Sequence, residues 1–252
     1  MKFVYILYQI FVAAPILLVA TLLTAVTTFF GCRWGNGAFW GYYPGKWWGW
    51  AMCRVMLLPV EVEGRENIDS RQSYVFVANH QGSYDIFLVY GFLGHSFRWM
   101  MKASLRQMPL IGTACEAAGH IMVNRRSASG VRQTIEQGRK VLCGGTSLFV
   151  FPEGARTFSG TMGFFRKGAF QLADELQLPV VPVTIEGSFD VLPRQRKLPY
   201  LTWHPLRLVI HQPIQPVGKG DPNLQHLMTT SRDAIERSLS AAHQGYVENP
   251  DQ

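Results

Sequence analysis

Two short polar blocks hold the side chains best suited to chemistry. The first, Asn79-His80-Gln81-Gly82-Ser83-Tyr84-Asp85, follows directly on the strand-like run Tyr-Val-Phe-Val-Ala. A carboxylate on one imidazole nitrogen fixes the tautomer and leaves the other nitrogen free as a general base. His80 and Asp85 are too unevenly spaced to share one face of a regular helix. They converge only if His80 precedes a helix and Asp85 sits in its first turn, which Gly82 and Ser83 allow. No nucleophile accompanies the pair in sequence. The simplest chemistry is therefore direct: His80 takes a proton from a hydroxyl, and that oxygen attacks an acyl carbonyl. A histidine that merely caps a helix is the plainer alternative.

The second block, Phe151-Pro152-Glu153-Gly154-Ala155-Arg156-Thr157, again follows a strand-like run. Arg156 beside Gly154 offers a forked cation with backbone amides nearby, which suits a phosphate oxyanion. Glu153 either holds Arg156 or binds a substrate hydroxyl, and an ordinary salt-bridged turn is the alternative. Two further strand ends carry cations: Lys102, before Ala103-Ser104-Leu105, and Arg125-Arg126, at the end of Gly119-His120-Ile121-Met122-Val123-Asn124. If those strands share one sheet edge, His80, Lys102, Arg125 and Arg156 surround a single site. A base ringed by cations suits a phosphorylated hydroxyl compound.

The elements that must position these residues are legible as alternating patterns. Strands are expected at 60–64, 74–79, 97–102, 120–125, 147–152, 180–187 and 206–212. Several are apolar on both faces, as in a sheet covered by helices on each side. Helices are expected at 84–93, 105–117, 129–142, 166–177 and 223–241, the third capped by Ser127 or Ser129 and ended by Gly144-Gly145. This alternation predicts an α/β fold with a largely parallel mixed sheet flanked by helices. In such sheets sites form beyond the carboxyl ends of strands, where His80 falls.

Ahead of this domain, Phe3 to Phe30 is almost wholly apolar, broken by Gln9, Pro15 and a few threonines. About 20 apolar residues span a bilayer, so the run is long enough, and it is too long for the core of a signal peptide. Residues 37–59 then crowd Trp and Tyr with Lys46 and Arg54, a composition suited to the headgroup region. Either one spanning helix with an interfacial one, or a two-helix hairpin lying partly in a leaflet, fits. The expected division is a membrane-anchoring segment at 1–58, a catalytic domain at 59–242 and a flexible tail at 243–252. Arg33, Lys46 and Arg54 orient the domain toward the cytoplasm, taken as that of a bacterial inner membrane.

The net charge of +7 favours an anionic partner, a phospholipid surface or a phosphorylated substrate. No basic helix, zinc spacing or aromatic-basic motif supports nucleic acid. Cys32, Cys53, Cys115 and Cys143 lie far apart, which suggests reduced thiols and no metal site.

The four blocks together resemble the glycerolipid acyltransferase family, specifically the 1-acylglycerol-3-phosphate (lysophosphatidic acid) acyltransferases, over roughly residues 60–215. NHQGSYD is similar to the family's NHxxxxD block, which implies His80 as base and Asp85 as its orienting partner. FPEGART is similar to FPEGTRS and implies Glu153, Gly154 and Arg156 in binding lysolipid phosphate and glycerol. GHIMVNR implies Arg125 as a phosphate ligand, and Val181-Pro182-Val183 a strand associated with the acyl donor. Lys102, Leu105, Pro109 and Gly112 match the spaced KxxLxxxPxxG pattern. Ala155, Met122 and Ser104 depart from the usual Thr, aromatic and acidic residues, which bears on substrate preference.

The resemblance implies acyl transfer from acyl-CoA or acyl carrier protein to lysophosphatidic acid at a membrane, with no cofactor or metal. Another lysolipid acceptor is the nearest alternative. A thioester hydrolase lacks a GxSxG nucleophile here. A metal phosphoesterase lacks upstream ligands, since residues 1–78 hold no histidine and only Asp69 as aspartate. A catalytically silent scaffold fits the intact His80 and Asp85 less well.

Overall fold

The computed structural model describes residues 2–123, 128–195 and 200–247. The apolar run forms one 33-residue helix, long and apolar enough to cross a membrane. It comprises α1 (Lys2–Tyr8), a π-helical turn (Gln9–Ala13) and α2 (Ala14–Trp34). Pro15 supplies no N–H to the preceding turn, and the wider turn accommodates that gap. Gln9, in that turn, is buried and grips the Leu201 backbone twice, donating to its carbonyl at 3.0 Å and accepting its N–H at 2.7 Å.

Two short helices, α3 (Gly37–Trp40) and α4 (Tyr43–Val55), follow. Tyr5 and Tyr8 donate to the Met56 and Val55 carbonyls, and the Trp48 indole donates to Thr21. Gln9, Ala13, Leu17, Ala25 and Thr28 form a buried stripe along the long helix, while the opposite face exposes Phe11, Leu18, Leu23 and Phe30.

The remaining elements run β1 (Val60–Glu63), β2 (Val75–Ala78), α5 (Tyr84–Phe92), β3 (Phe97–Lys102), α6 (Ile111–Ala117), β4 (Ile121–Val123), α7 (Ala128–Cys143), β5 (Ser147–Val150), β6 (Met162–Gly163), α8 (Gly168–Leu176), β7 (Val180–Glu186), α9 (Ser188–Val191), β8 (Leu206–Ile210), α10 (Asp221–Ser238) and β9 (Tyr246–Val247). Seven strands make one sheet in the order β1-β8-β7-β2-β5-β3-β4. All neighbours are parallel except β7 and β8. The expected α/β class with a mostly parallel mixed sheet is therefore observed.

Strand alternation divides the core. Phe76, Phe149, Val181 and Val183 pack toward α5 and the N-terminal helices, whereas Val75, Val77, Leu148 and Val180 pack toward α8 and α10. Helices α4 and α5 approach closely: a Cβ on Gly49 would lie 2.7 Å from the Phe87 carbonyl oxygen.

Three expectations are corrected. The helix expected over 105–117 is broken into a 3-10 turn (Ala103–Gln107) and α6. Pro109 interrupts it, Leu110 takes φ +63°, and Gly112 lies so close that a Cβ would sit 2.1 Å from the Arg106 carbonyl oxygen. Ser129 lies inside α7 rather than capping it, and Ser127 lies outside the described residues. The tail expected from 243 onward is docked through Val247, because His243 bonds Glu186 and β9 pairs with β6. Residues 248–252 lie outside the described range.

Candidate active site

The C-terminal ends of β7, β2, β5, β3 and β4 all face one edge of the sheet. His80 leaves β2 there. Its carrier is braced by Asn79, whose amide donates to the Ile185 carbonyl and accepts the Ile185 N–H, each at 2.8 Å. A side chain thus extends the β2–β7 pairing one residue beyond the strand.

The chain then turns at Gly82, where a Cβ would meet the Ser188 carbonyl oxygen at 2.4 Å, and enters α5 with Asp85 in its first turn. The irregular His-to-Asp spacing closes as expected. His80 Nδ1 and Asp85 Oδ2 lie 2.7 Å apart, and the same oxygen accepts the Gly82 N–H at 3.0 Å. Asp85 is fully buried. An acceptor-only carboxylate requires the proton on Nδ1, so Nε2 carries the free lone pair and has no partner among the described residues.

The second block grips the backbone of the first. Glu153 is buried, and its two carboxylate oxygens accept the His80 N–H and the Gly163 N–H, each at 2.7 Å. Thr157 N–H donates to the His80 carbonyl at 2.9 Å. The Phe151 ring stacks on the imidazole at 3.9 Å between centroids. Both backbone groups of His80, one ring nitrogen and one ring face are therefore fixed.

Burial pushes the Glu153 carboxyl up to about 8, against the two N–H donors, which lower it. The expectations that Glu153 holds Arg156 or faces a substrate hydroxyl are both corrected: its carboxylate points into the protein and holds His80.

Gly154, at φ +78°, makes the turn that follows and is exposed. Arg156 is half-buried and donates to the Ser83 hydroxyl, which ties the two blocks together near the edge. Burial first, then the neighbouring Arg194, lowers its pKa, while Asp85 acts the other way. Lys102 is exposed at the end of β3, on the same edge, paired in register with Val123 of β4. Arg125 lies outside the described residues. Sequence reasoning passed over Asn79 and Phe151 as positioning residues, and read Ser83 only as part of the turn, although each belongs to a block it had marked. No cluster able to hold a metal ion occurs among the described residues.

A family model described as acyltransferase matches residues 59–186. This chain belongs to the acyltransferase family. A chloroplastic 1-acyl-sn-glycerol-3-phosphate acyltransferase of Arabidopsis thaliana is 33% identical over 167 residues, covering 66% of this chain and 46% of that protein. The human 1-acyl-sn-glycerol-3-phosphate acyltransferase alpha is 34% identical over 132 residues, covering 52% of this chain and 47% of that protein. The chain thus spans about half the length of these curated relatives. The crystal structure of the 1-acyl-sn-glycerophosphate (LPA) acyltransferase from Thermotoga maritima superposes with a TM-score of 0.73, at 25% identity and 93% coverage of both chains. Its likeness extends over the N-terminal helices as well as the sheet.

Proposed function

We propose that this acyltransferase moves a fatty acyl group from acyl-CoA or acyl carrier protein to the free hydroxyl of lysophosphatidic acid, giving phosphatidic acid. The observation that carries the reading is the His80–Asp85 pair, with a free Nε2, on a sheet edge that also bears Arg156 and Lys102. The names of the relatives supply the substrate class.

In the proposed reaction Nε2 of His80 removes the hydroxyl proton as the oxygen attacks the thioester carbonyl. A C–O bond forms, the C–S bond breaks, and the imidazolium returns its proton to the departing sulfur. Asp85 stabilises the imidazolium and holds its tautomer. Arg156, Lys102 and Arg125 are the candidate ligands for the acceptor phosphate, and Gly154 lets the backbone approach it. Both substrates arrive complete, so the reaction calls for no resident cofactor. The apolar helix face keeps the protein at a membrane, where acceptor and product reside.

The test is transfer of labelled acyl groups to lysophosphatidic acid by the full chain and by His80→Ala and Asp85→Asn. The Ala variant is expected to lose transfer, and the Asn variant to lose about ten-thousandfold in kcat through the misplaced tautomer. Near-normal turnover by a folded His80→Ala protein would reject the assignment. Offering acyl-CoA and acyl carrier protein separately identifies the donor.

A further inference from the structure

Arg194 lies outside every block the sequence singled out as catalytic, yet the fold carries it to the site. The turn from β7 through α9 runs back along the edge beside β2, and Pro193 pairs with Gly82 of the catalytic turn. Arg194 Nη1 then donates to the Arg156 carbonyl at 3.0 Å, and its guanidinium lies over the Phe158 ring, 4.0 Å from the centroid. Stacking on an aromatic face fixes the plane of a guanidinium and leaves its edge donors free.

Among the described residues, neither Arg156 nor Arg194 has a carboxylate within ion-pair distance, whereas Arg106, Arg139, Arg207 and Arg232 each do. Two partly buried guanidiniums side by side repel each other, and among the described residues only the more distant Asp85 carboxylate acts against that on Arg156. One hydrogen bond from each is accounted for, to a hydroxyl and to a carbonyl, out of five donors apiece. An oxyanion bearing two charges would engage those donors and relieve the repulsion.

We propose that Arg194 is a substrate ligand that, with Arg156, grips a phosphate monoester carried by one of the two substrates. The inference rests on the acyl-transfer reading and extends its phosphate site by one residue. Two sources share this chemistry: the acceptor's phosphate and the ribose phosphate of coenzyme A.

The experiment compares the full chain in detergent with Arg194→Gln and Arg194→Lys. Equilibrium binding is measured for a short-chain lysophosphatidic acid, for coenzyme A and for 3′-dephospho-coenzyme A, alongside KM and kcat for each substrate. Arg194→Gln is expected to weaken binding of one phosphate monoester about tenfold or more, with KM for that substrate rising far more than kcat falls. Arg194→Lys, which keeps the charge but not the fork, should recover only part of the loss.

A loss confined to lysophosphatidic acid assigns the acceptor. A loss for coenzyme A that is absent for its dephosphorylated form assigns the donor. Unchanged binding of all three ligands by a variant of normal thermal stability overturns the proposal. So does a fall in kcat alone, which would mark Arg194 as a buttress for the Arg156 backbone. Should the wild-type chain transfer no acyl group, the acyl-transfer reading fails, and the binding measurements still decide for or against Arg194.

Discussion

Glu153 shows how much of the site's order lies in a side chain that faces away from substrate. It stands between two backbone donors, His80 N–H and Gly163 N–H, and joins the end of β2 to β6. Substitution by Gln keeps the shape but replaces one acceptor oxygen with an NH2 that meets an N–H head on. One buried donor is then unsatisfied, a cost of about 1–3 kcal/mol. Because the lost bond anchors His80, Glu153→Gln is expected to lower both the melting temperature and kcat, with KM for either substrate altered less. Calorimetry and initial rates check this. A variant that raises KM while leaving kcat and melting intact would return Glu153 to the role of ligand. The residue types of both blocks were legible in sequence, since His, Asp, Glu and Arg at strand ends are unusual. The direction in which Glu153 points was not, because a carboxylate that binds substrate and one that holds a backbone look alike in a string.

At the scale of elements, β2, β5 and β7 announced themselves through runs apolar on both faces, which only a doubly covered sheet requires. The break inside 103–117 was less legible: its helical periodicity persists while Pro109 and the close approach of Gly112 to Arg106 divide it. Gln9 gave no reason in sequence to be read as a clasp, since its partner, the Leu201 backbone, is 192 residues away. The junction of β3, β4 and α5 carries its own titration. His120 is half-buried; its Nδ1 accepts the Trp99 N–H at 3.3 Å, so Nε2–H donates to the Tyr90 hydroxyl at 2.9 Å. Burial, aided by Arg98, holds its pKa down to about 3. A base whose folded pKa lies below its unfolded value of about 6.5 lets the unfolded chain take up the extra proton. Stability from His120 is therefore full above about pH 6.5 and is lost as pH falls toward 3. Glu153, shifted up to about 8, slopes oppositely, losing stability as pH rises from the ordinary carboxylate range. Comparing wild type with His120→Gln cancels that opposing slope. The variant is expected to be less stable at neutral pH and to close the gap between pH 6.5 and 4 in denaturant unfolding. A constant gap across this range would show that His120 does not govern the acid response.

The contacts of the whole molecule favour one of the membrane arrangements that composition leaves open. A 33-residue helix is about 50 Å long, well beyond a hydrocarbon core of about 30 Å. Yet its contacts with the rest of the protein run nearly end to end: Tyr5 and Tyr8 on the end of α4, Gln9 on Leu201, and Thr21 on Trp48. At its far end the Arg98 guanidinium, buried on β3, reaches the Gly37 carbonyl just beyond the helix. A helix fastened at both ends to one globular domain cannot cross a bilayer without drawing that domain into the hydrocarbon. The returning α4, with 13 residues and about 20 Å, is too short to cross back, which suits the hairpin that lies partly in a leaflet. The arrangement that satisfies every contact lays the helix in one leaflet, its outer face of Phe11, Leu18, Leu23 and Phe30 toward the acyl chains and the exposed Trp47 and Trp50 of α4 near the headgroups. An epitope at the N-terminus and the exposed Cys143 of α7 are then expected on the same side of sealed vesicles. A protease and a membrane-impermeant maleimide should reach both from that side and neither from the other. Opposite sidedness of the two would require the Gln9–Leu201 clasp to be open in the membrane, and would restore the single spanning helix.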